Sequence, residues 1–349
     1  MALQSRVPED SWQVAWTRFL VRCMWERLPP YAQGDPHAWQ LELDALLAAL
    51  ADQPNLKPES LRDIYGYSSL LYRRCGACEA ALTYLERKIT LATQLGDRFA
   101  EERETGNLAL IYLKLGRLDE AIAAYRRRIT WYEQTQEYWF LLWSITFMSS
   151  VYLARGELLT ALEWEERRLA LARRLQDAYH LADAPADQAR AYMGLGDFAT
   201  AALLFERWLA TCVVPRANST AERLNLSLCY ARLQRQAEAR RLAEEALAAA
   251  EELQFPALEG IAWRCLAHTY PLAERAPFLC RAPELLEGQW RFLDEADCYL
   301  LQANAAEDPP ERVRLWEQRA QILERGGGSA WLIGATPDQW PCLPVLGLF

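Results

Sequence analysis

The sequence predicts an all-α protein built from stacked antiparallel helix pairs, and two observations support this fold class. The first is a repeat, because tyrosines recur about every 40 residues along most of the chain. The second is the spacing of apolar residues at i, i+3, i+4 and i+7 within each repeat, which is typical of amphipathic helices. The six tyrosines are Tyr72, Tyr112, Tyr152, Tyr192, Tyr230 and Tyr270.

Three further columns keep the register of the tyrosines, and each has a physical role. A small residue three positions earlier lets two helices approach closely. A glycine four positions later, replaced by glutamine in the fifth copy, ends the first helix of each pair. An alanine nine positions later marks the tight crossing of the two helices. The columns are Ser69, Ala109, Ser149, Ala189, Ser227 and Ala267; Gly76, Gly116, Gly156, Gly196 and Gln234; and Ala81, Ala121, Ala161, Ala201 and Ala239.

The segment from Leu108 to Ile122, LALIYLKLGRLDEAI, resembles a tetratricopeptide repeat. The stretch from Leu91 to Asn107 resembles the long-helix variety of this repeat, which occurs in Pins-type scaffolds and bacterial regulatory proteins. This resemblance implies a right-handed superhelical solenoid of antiparallel helix pairs. Such a fold hosts many functions, so it implies a class of role and no particular partner.

The predicted organisation has four parts. Residues 1–58 hold N-terminal capping helices, at Trp12 to Arg27 and Ala38 to Ala51, and residues 59–270 hold the repeats. Residues 271–325 form irregular capping helices, near Glu284 to Asn304 and Pro309 to Arg325, and residues 326–349 form a glycine hinge and an apolar tail. Terminal repeats need a cover for their outer apolar face, so the tail at 331–349 either caps the solenoid or docks to a partner.

Prolines predict two irregularities in this organisation. Pro185 is expected to kink or delay the first helix of the fourth repeat, with Asp183 capping a later start. Pro271, Pro277 and Pro283 are expected to break the helix that follows the sixth tyrosine repeat. We therefore expect five full helix pairs, followed by one unpaired first helix.

Composition and charge argue against several classes of function. The formal net charge is -9 and the chain has no long block of lysine or arginine, which argues against nucleic-acid binding. No apolar run of about 18 residues predicts a membrane span, and Met1 to Asp10 lacks the apolar core of a signal peptide. Nine scattered cysteines fit buried thiols in a reducing compartment. We therefore expect a cytoplasmic protein.

Candidate catalytic and metal-binding residues are few. Cys75 and Cys78 form a lone CxxC without the second ligand pair that a structural zinc site needs. Cys265 and His268 are three positions apart, but no orienting group or oxyanion hole is evident beside them. We therefore predict no enzyme activity, no cofactor and no metal, with an unrecognised Cys/His site as the alternative.

The resemblance also implies where a partner would bind. In this family the first helix of each pair lines the concave face, and the residues five and two positions before the tyrosine face the groove. Trp143 lies four positions before one of these residues, Phe147. Asparagine suits a peptide backbone because its amide both donates and accepts hydrogen bonds, although simple solvation is the alternative. The lysine or arginine of a chaperone carboxylate clamp is replaced by Gly106 and Leu224, which argues against a chaperone C-terminus as ligand. The candidate groove residues are Tyr67, Asn107, Leu110, Trp143, Phe147, Ser150, Asp187, Arg190 and Asn225.

The sequence therefore predicts an adaptor or regulatory subunit that binds a protein or peptide in its groove. The alternative is a ligand-sensing regulator whose solenoid changes curvature and controls an effector enzyme. An aromatic cluster from Trp131 to Phe147 is expected to be mostly core, with Trp143 as its most exposed member.

Overall fold

The computed structural model describes residues 58–74, 78–211, 216–271, 274–286 and 292–325, together with the single positions 41, 44, 45 and 48. The chain divides into two compact units, Met1–Glu101 and Glu102–Phe349. The boundary between them falls inside one helix. Among the described residues every long regular element is an α-helix and no strand is found.

Fourteen helices lie within the described ranges, and they follow one another with short connections. The two helices of a pair pack together as an antiparallel hairpin, as expected for a helical repeat. The helices are α1 Pro58–Arg74, α2 Cys78–Gln94, α3 Arg98–Lys114, α4 Leu118–Thr135, α5 Tyr138–Arg155, α6 Leu158–Leu175, α7 Ala178–Gly194, α8 Phe198–Thr211, α9 Arg216–Arg232, α10 Gln236–Glu252, α11 Pro256–His268, α12 Ala276–Leu286, α13 Phe292–Ala305 and α14 Pro309–Arg325.

The small-residue column and the alanine column meet where the two helices of a pair cross. Ser149 Oγ donates a hydrogen bond to the Ala161 carbonyl at 3.2 Å, and Ser227 Oγ donates to the Ala239 carbonyl at 2.7 Å. All five alanines of the column are fully buried, Ala121 among them. The repeat register predicted from the sequence is therefore confirmed.

Left-handed residues end the helices, as the glycine column predicts. Gly156 has a φ of 80°, and its N–H and that of the next residue return to carbonyls of the last turn of α5. In the fifth copy Gln234 takes the same conformation at φ 63°, although a side chain makes it less favourable there. The second helices end in the same way at Gln136 and Gln176, where no glycine in the sequence predicted it.

One hydrophobic core cluster of the second unit lies around α4 and α5. Tyr125, Tyr132, Ile145 and Met148 are fully buried there. Phe140 stacks on Tyr132 with ring centroids 5.2 Å apart. Of the aromatic cluster, Tyr132 alone is fully buried, while Trp131, Tyr138, Phe140 and Phe147 are partly buried and pack against this core. The cluster is therefore only partly core.

Pro185 does not delay the start of its helix, so that part of the prediction is wrong. Helix α7 runs without interruption from Ala178 to Gly194 with Pro185 inside it. Its N-terminus is capped by Asp177, whose carboxylate accepts the His180 N–H at 2.9 Å. Asp183 does not cap a helix, because its carboxylate pairs with Arg168 instead. Proline removes one hydrogen bond here, and the tertiary contacts of α7 outweigh that loss.

The predicted break after the sixth repeat is also wrong. Helix α12 contains both Pro277 and Pro283, and α13 begins at Phe292, so the single helix expected near Glu284 to Asn304 is two helices. Pro277 lies in the first turn, where its missing N–H costs little. Pro283 cannot bond the Leu279 carbonyl one turn earlier, but Gln302 Nε2 of α13 donates to that carbonyl at 2.9 Å. The last helix, α14, has the predicted bounds.

Several expectations fall outside the described residues. They are the helix from Trp12 to Arg27, the tail at 331–349 and the residues Cys75 to Ala77 of the CxxC motif. Within Ala38 to Ala51, the four described positions are helical. The four-part domain organisation stays a prediction.

Candidate ligand-binding site

Helices α5 and α7 carry adjoining aromatic side chains. Trp139, Trp143 and Phe147 recur at i, i+4 and i+8 and therefore share one face of α5. The ring centroids of Trp139 and Trp143 lie 6.1 Å apart, and those of Trp143 and Phe147 lie 5.8 Å apart. From α7, Tyr179 and His180 contact the Trp143 ring at 5.5 Å and 5.1 Å. The five rings form one patch, called here the aromatic patch.

Exposure within the aromatic patch differs from the prediction. Trp143 is only half-buried rather than exposed, and its indole Nε1 is inaccessible. Trp139 is 60% exposed and Tyr179 is 50% exposed, so these two rings present the open surface. Trp143 is covered because Tyr179 and His180 of the next helix pair pack against it.

A buried ionic network, centred on Arg168 of α6, lies next to the aromatic patch. The Arg168 guanidinium is fully buried and donates to Glu165 Oε2 at 3.2 Å and to Asp183 Oδ2 at 2.9 Å. It also donates to Asp187 Oδ2. Its Nε donates to His180 Nδ1 at 3.1 Å, which ties the network to a ring of the patch. Since His180 Nδ1 accepts this bond, the neutral ring carries its proton on Nε2.

The ionic network continues through Arg190 to the next helix pair. Arg190 donates to Asp187 Oδ1 within α7 and to Glu222 Oε1 on α9. Asn225 completes this end, because its Nδ2 donates to Glu222 Oε2 at 2.8 Å. The predicted groove residues Asp187, Arg190 and Asn225 are therefore brought together, but they are buried and bonded to protein partners.

Burial shifts the pKa values of the network in directions that follow from its charge. Desolvation, followed by the nearby Asp187 carboxylate, raises the pKa of Glu165 to about 8. Desolvation also raises the pKa of Glu222 to about 7. Desolvation and the Arg168 charge lower the pKa of His180 to about 4, so its ring is neutral at neutral pH. Glu165 and Glu222 therefore keep their protons to a higher pH than they would in water.

The remaining predicted groove residues belong neither to the aromatic patch nor to the ionic network. Asn107 is half-buried and its Nδ2 donates to Glu104 Oε2 at 2.8 Å, an arrangement that matches Asn225 with Glu222. Leu110 is half-buried, and the hydroxyl of half-buried Ser150 donates to the carbonyl of Thr146. Tyr67 belongs to the first unit, where it is 49% exposed.

The basic residues of the second helices were not among the predicted site residues, although they follow the repeat. Lys88, Arg128 and Arg168 stand at one and the same distance after successive repeat tyrosines. Arg128 packs over Gly106, where an added Cβ would lie 1.7 Å from its Nη1. A side chain at 106 would therefore require the Arg128 guanidinium to move.

The exposed rings also share a register that could have been found in the sequence. Trp139 and Tyr179 stand at the same distance before a repeat tyrosine, at the second position of α5 and α7. Phe99 holds the same position in α3 and is also exposed. Exposed aromatics that recur at one repeat position indicate a surface role better than one tryptophan alone does.

A second ionic cluster surrounds the Cys/His alternative. Arg264 is fully buried and pairs with Asp294 at 3.0 Å and Asp297 at 2.6 Å. His268 Nε2 lies 3.0 Å from Asp297 Oδ2, while the Cys265 side chain is fully buried. A thiol sealed from solvent cannot reach a substrate, so these contacts tie α11 to α13 and favour a structural role.

Two other classes of site are not found in the described part of the chain. No group of three or more His, Cys, Asp and Glu side chains there is arranged to hold a metal ion. None of the helices described is both long enough and apolar enough to cross a membrane.

Comparison with known proteins supports the repeat assignment. Residues 106–135, which span the end of α3 and all of α4, match the family model for the tetratricopeptide repeat. The chain is built from tetratricopeptide-type repeats. No curated protein sequence matches it.

Solved structures of this repeat class resemble the chain over most of its length. One is NprR in complex with its cognate peptide NprX, with a TM-score of 0.66 and 17% identity over 92% of this chain and 90% of that chain. Another is the Rap conjugation gene regulator of plasmid pLS20 in complex with the Phr* peptide, with a TM-score of 0.68 and 11% identity over 92% and 99%. A third is a Rap protein complexed with competence and sporulation factor, with a TM-score of 0.63 and 14% identity over 92% and 88%. At these identities the likeness establishes the fold: an all-α tetratricopeptide-type solenoid.

Proposed function

We propose that this chain is a non-catalytic regulatory protein that binds a peptide, or a peptide segment of a protein, on the surface formed by α3, α5 and α7. The observation that carries the proposal is the aromatic patch, whose two open rings lie beside a buried polar network. Large aromatic side chains dominate binding hot spots because they bury much area at little entropic cost. The peptide complexes of NprR and Rap support this class of ligand for a chain of the same fold.

The half-buried asparagine of α3 extends this surface toward a peptide backbone. Asn107 uses one amide hydrogen on Glu104, which fixes the orientation of its side chain. An oriented amide offers its oxygen and its second hydrogen to a peptide group. Phe147, whose ring is 6.0 Å from that of Tyr125, supplies apolar surface on α5.

The proposal is tested by capturing peptides on the tagged full chain. The small-peptide fraction of extracts from the native host would be passed over the wild type and over the variant Asn107→Ala/Trp139→Ala, and retained species identified by mass spectrometry. We expect one or a few peptides to be retained by the wild type and lost by the variant. Each would then be synthesised and its Kd measured from the change in tryptophan fluorescence. Equal retention by both proteins would contradict the proposed surface.

A second candidate function, a sensor whose repeats shift on binding, is favoured by the buried ionic network. Arg168 and Arg190 join three helices of successive pairs, α6, α7 and α9. A network of ions with several partners has alternative pairings, and such bistable elements transmit binding at one surface to another. The captured peptide should then change the radius of gyration in X-ray scattering. An unchanged radius with a saturating peptide favours the simple adaptor.

A further inference from the structure

We infer that the ligand presents a basic side chain, an arginine or a lysine, to the rings of Trp139 and Tyr179 and to the Asp183 carboxylate. This inference rests on the proposed function and specifies the chemistry of the ligand. It depends on the composition of the open surface and on the charge beneath it.

The open surface has the composition of a cation site. Trp139 and Tyr179 are the exposed rings of the patch, and Trp143 lies between them in contact with both. Asp183 lies one turn after Tyr179, on the same face of α7, and its side chain is 25% exposed. Aromatic faces attract guanidinium and ammonium groups, and a carboxylate beside them adds a charged partner.

The charge beneath this surface favours a cation. The network holds four carboxylates, Glu165, Asp183, Asp187 and Glu222, but only two guanidiniums, those of Arg168 and Arg190. If all six groups were ionised, two negative charges would remain in a buried setting. The raised pKa values of Glu165 and Glu222 indicate that protonation of these buried groups offsets much of this surplus. Asp183 is the carboxylate of the network that reaches the surface, with a side chain 25% exposed, and a carboxylate there attracts a ligand cation and repels a ligand anion.

The experiment uses a library of random short peptides displayed on phage and selected against the full chain. We expect the enriched peptides to carry arginine or lysine at one aligned position. The best peptide would be synthesised with citrulline replacing arginine, or norleucine replacing lysine, which removes the charge and keeps most of the length. The uncharged peptide should bind about tenfold or more weakly, because it no longer offers a positive charge to the Asp183 carboxylate.

Matched variants locate the effect. Asp183→Asn should weaken binding of the charged peptide about tenfold and bring it close to the uncharged one. Trp139→Ala, which changes a mostly exposed ring and leaves the core intact, should weaken it about fivefold. Glu166→Gln removes an exposed charge on α6 outside the network and should leave the affinity unchanged.

Failure of the inference and failure of the proposed function give different results. Enriched peptides that are acidic or neutral, or equal binding of the charged and uncharged peptides, would overturn the inference and leave a peptide-binding role intact. If selection yields no peptide that binds the wild type better than Asn107→Ala/Trp139→Ala, the proposed function falls and the inference falls with it.

Discussion

The Arg168 guanidinium donates to the Asp183 carboxylate at 2.9 Å and so joins the second helix of one repeat to the first helix of the next. Arg168 is fully buried, whereas Asp183 is partly exposed, so the pair links the core to the surface. A ligand that contacts Asp183 therefore acts on a group within the network that joins α6, α7 and α9. Stability and binding are expected to be coupled at this position.

The first prediction concerns Arg168→Met. The substitution keeps most of the buried stem but removes the charge that faces Glu165 and Asp187, both of which are buried. Removing one member of a buried ion network leaves carboxylates without compensation and costs about 3–5 kcal/mol. Urea denaturation would measure the loss in the free energy of unfolding. The neighbouring exposed Arg167→Met, which breaks a surface pair with Glu133, should cost about 1 kcal/mol or less.

The second prediction concerns the helix crossing at Ala121. Ala121→Leu adds volume at a fully buried position where α3 and α4 cross, so overpacking should cost roughly 1–3 kcal/mol. Ala123 lies two positions later on the exposed face of α4 and provides the control. Ala123→Leu should change the free energy of unfolding by about 0.5 kcal/mol or less. Equal effects of the two substitutions in urea denaturation would contradict the crossing geometry.

The repeat fold was predictable because its determinants are local and recur. Small residues, glycines and alanines stand at fixed distances from each tyrosine, and each column records a contact inside one helix pair. The errors fell where a long-range contact outweighs a local preference. Pro283 is accommodated because Gln302, which lies on the following helix, donates to the carbonyl that the proline leaves free. No local rule predicts such a compensation.

The candidate site was predictable only in part. Asp187, Arg190 and Asn225 were placed on the correct helices, but their burial depends on Arg168 and Glu222, which belong to other helices. A charged residue on an amphipathic helix is usually interpreted as a solvated one. Only the pairing between repeats shows that these charges are internal.

The third prediction separates the two asparagines. Asn225 is fully buried and bonded to Glu222, so Asn225→Ala should lower the free energy of unfolding by about 1–3 kcal/mol. Asn107 is half-buried, so Asn107→Ala should change stability little but weaken binding of a captured peptide by about 1–2 kcal/mol. Denaturation curves and peptide titrations on both variants would test this. Loss of binding in Asn225→Ala without loss of stability would contradict the buried role of that side chain.

The fourth prediction is a fall in stability between about pH 6.5 and pH 8. Glu165 has a folded pKa of about 8 against an ordinary value of 4.5, so in this window the native state holds a proton that the unfolded state has lost. Glu222, with a pKa of about 7, acts in the same direction over the lower part of the window. Raising the pH removes these protons from the native state, and each group contributes at most about 1.4 kcal/mol per pH unit.

His180 changes stability with pH in the opposite direction and over a different pH range. Its contribution can therefore be separated from that of the glutamates. Its folded pKa of about 4 lies below its ordinary value of 6.5, so it raises stability as the pH increases from about 4 to 6.5 and contributes nothing further above that range. The slope above pH 6.5 therefore belongs to the glutamates, chiefly to Glu165. Urea denaturation at half-unit steps from pH 6 to pH 8.5 would measure it, and Glu165→Gln should flatten it because glutamine does not titrate. A wild-type stability that does not fall over this window would show that the buried carboxyls of this network are ionised in the native state. A slope that survives in Glu165→Gln/Glu222→Gln would assign the fall to another group.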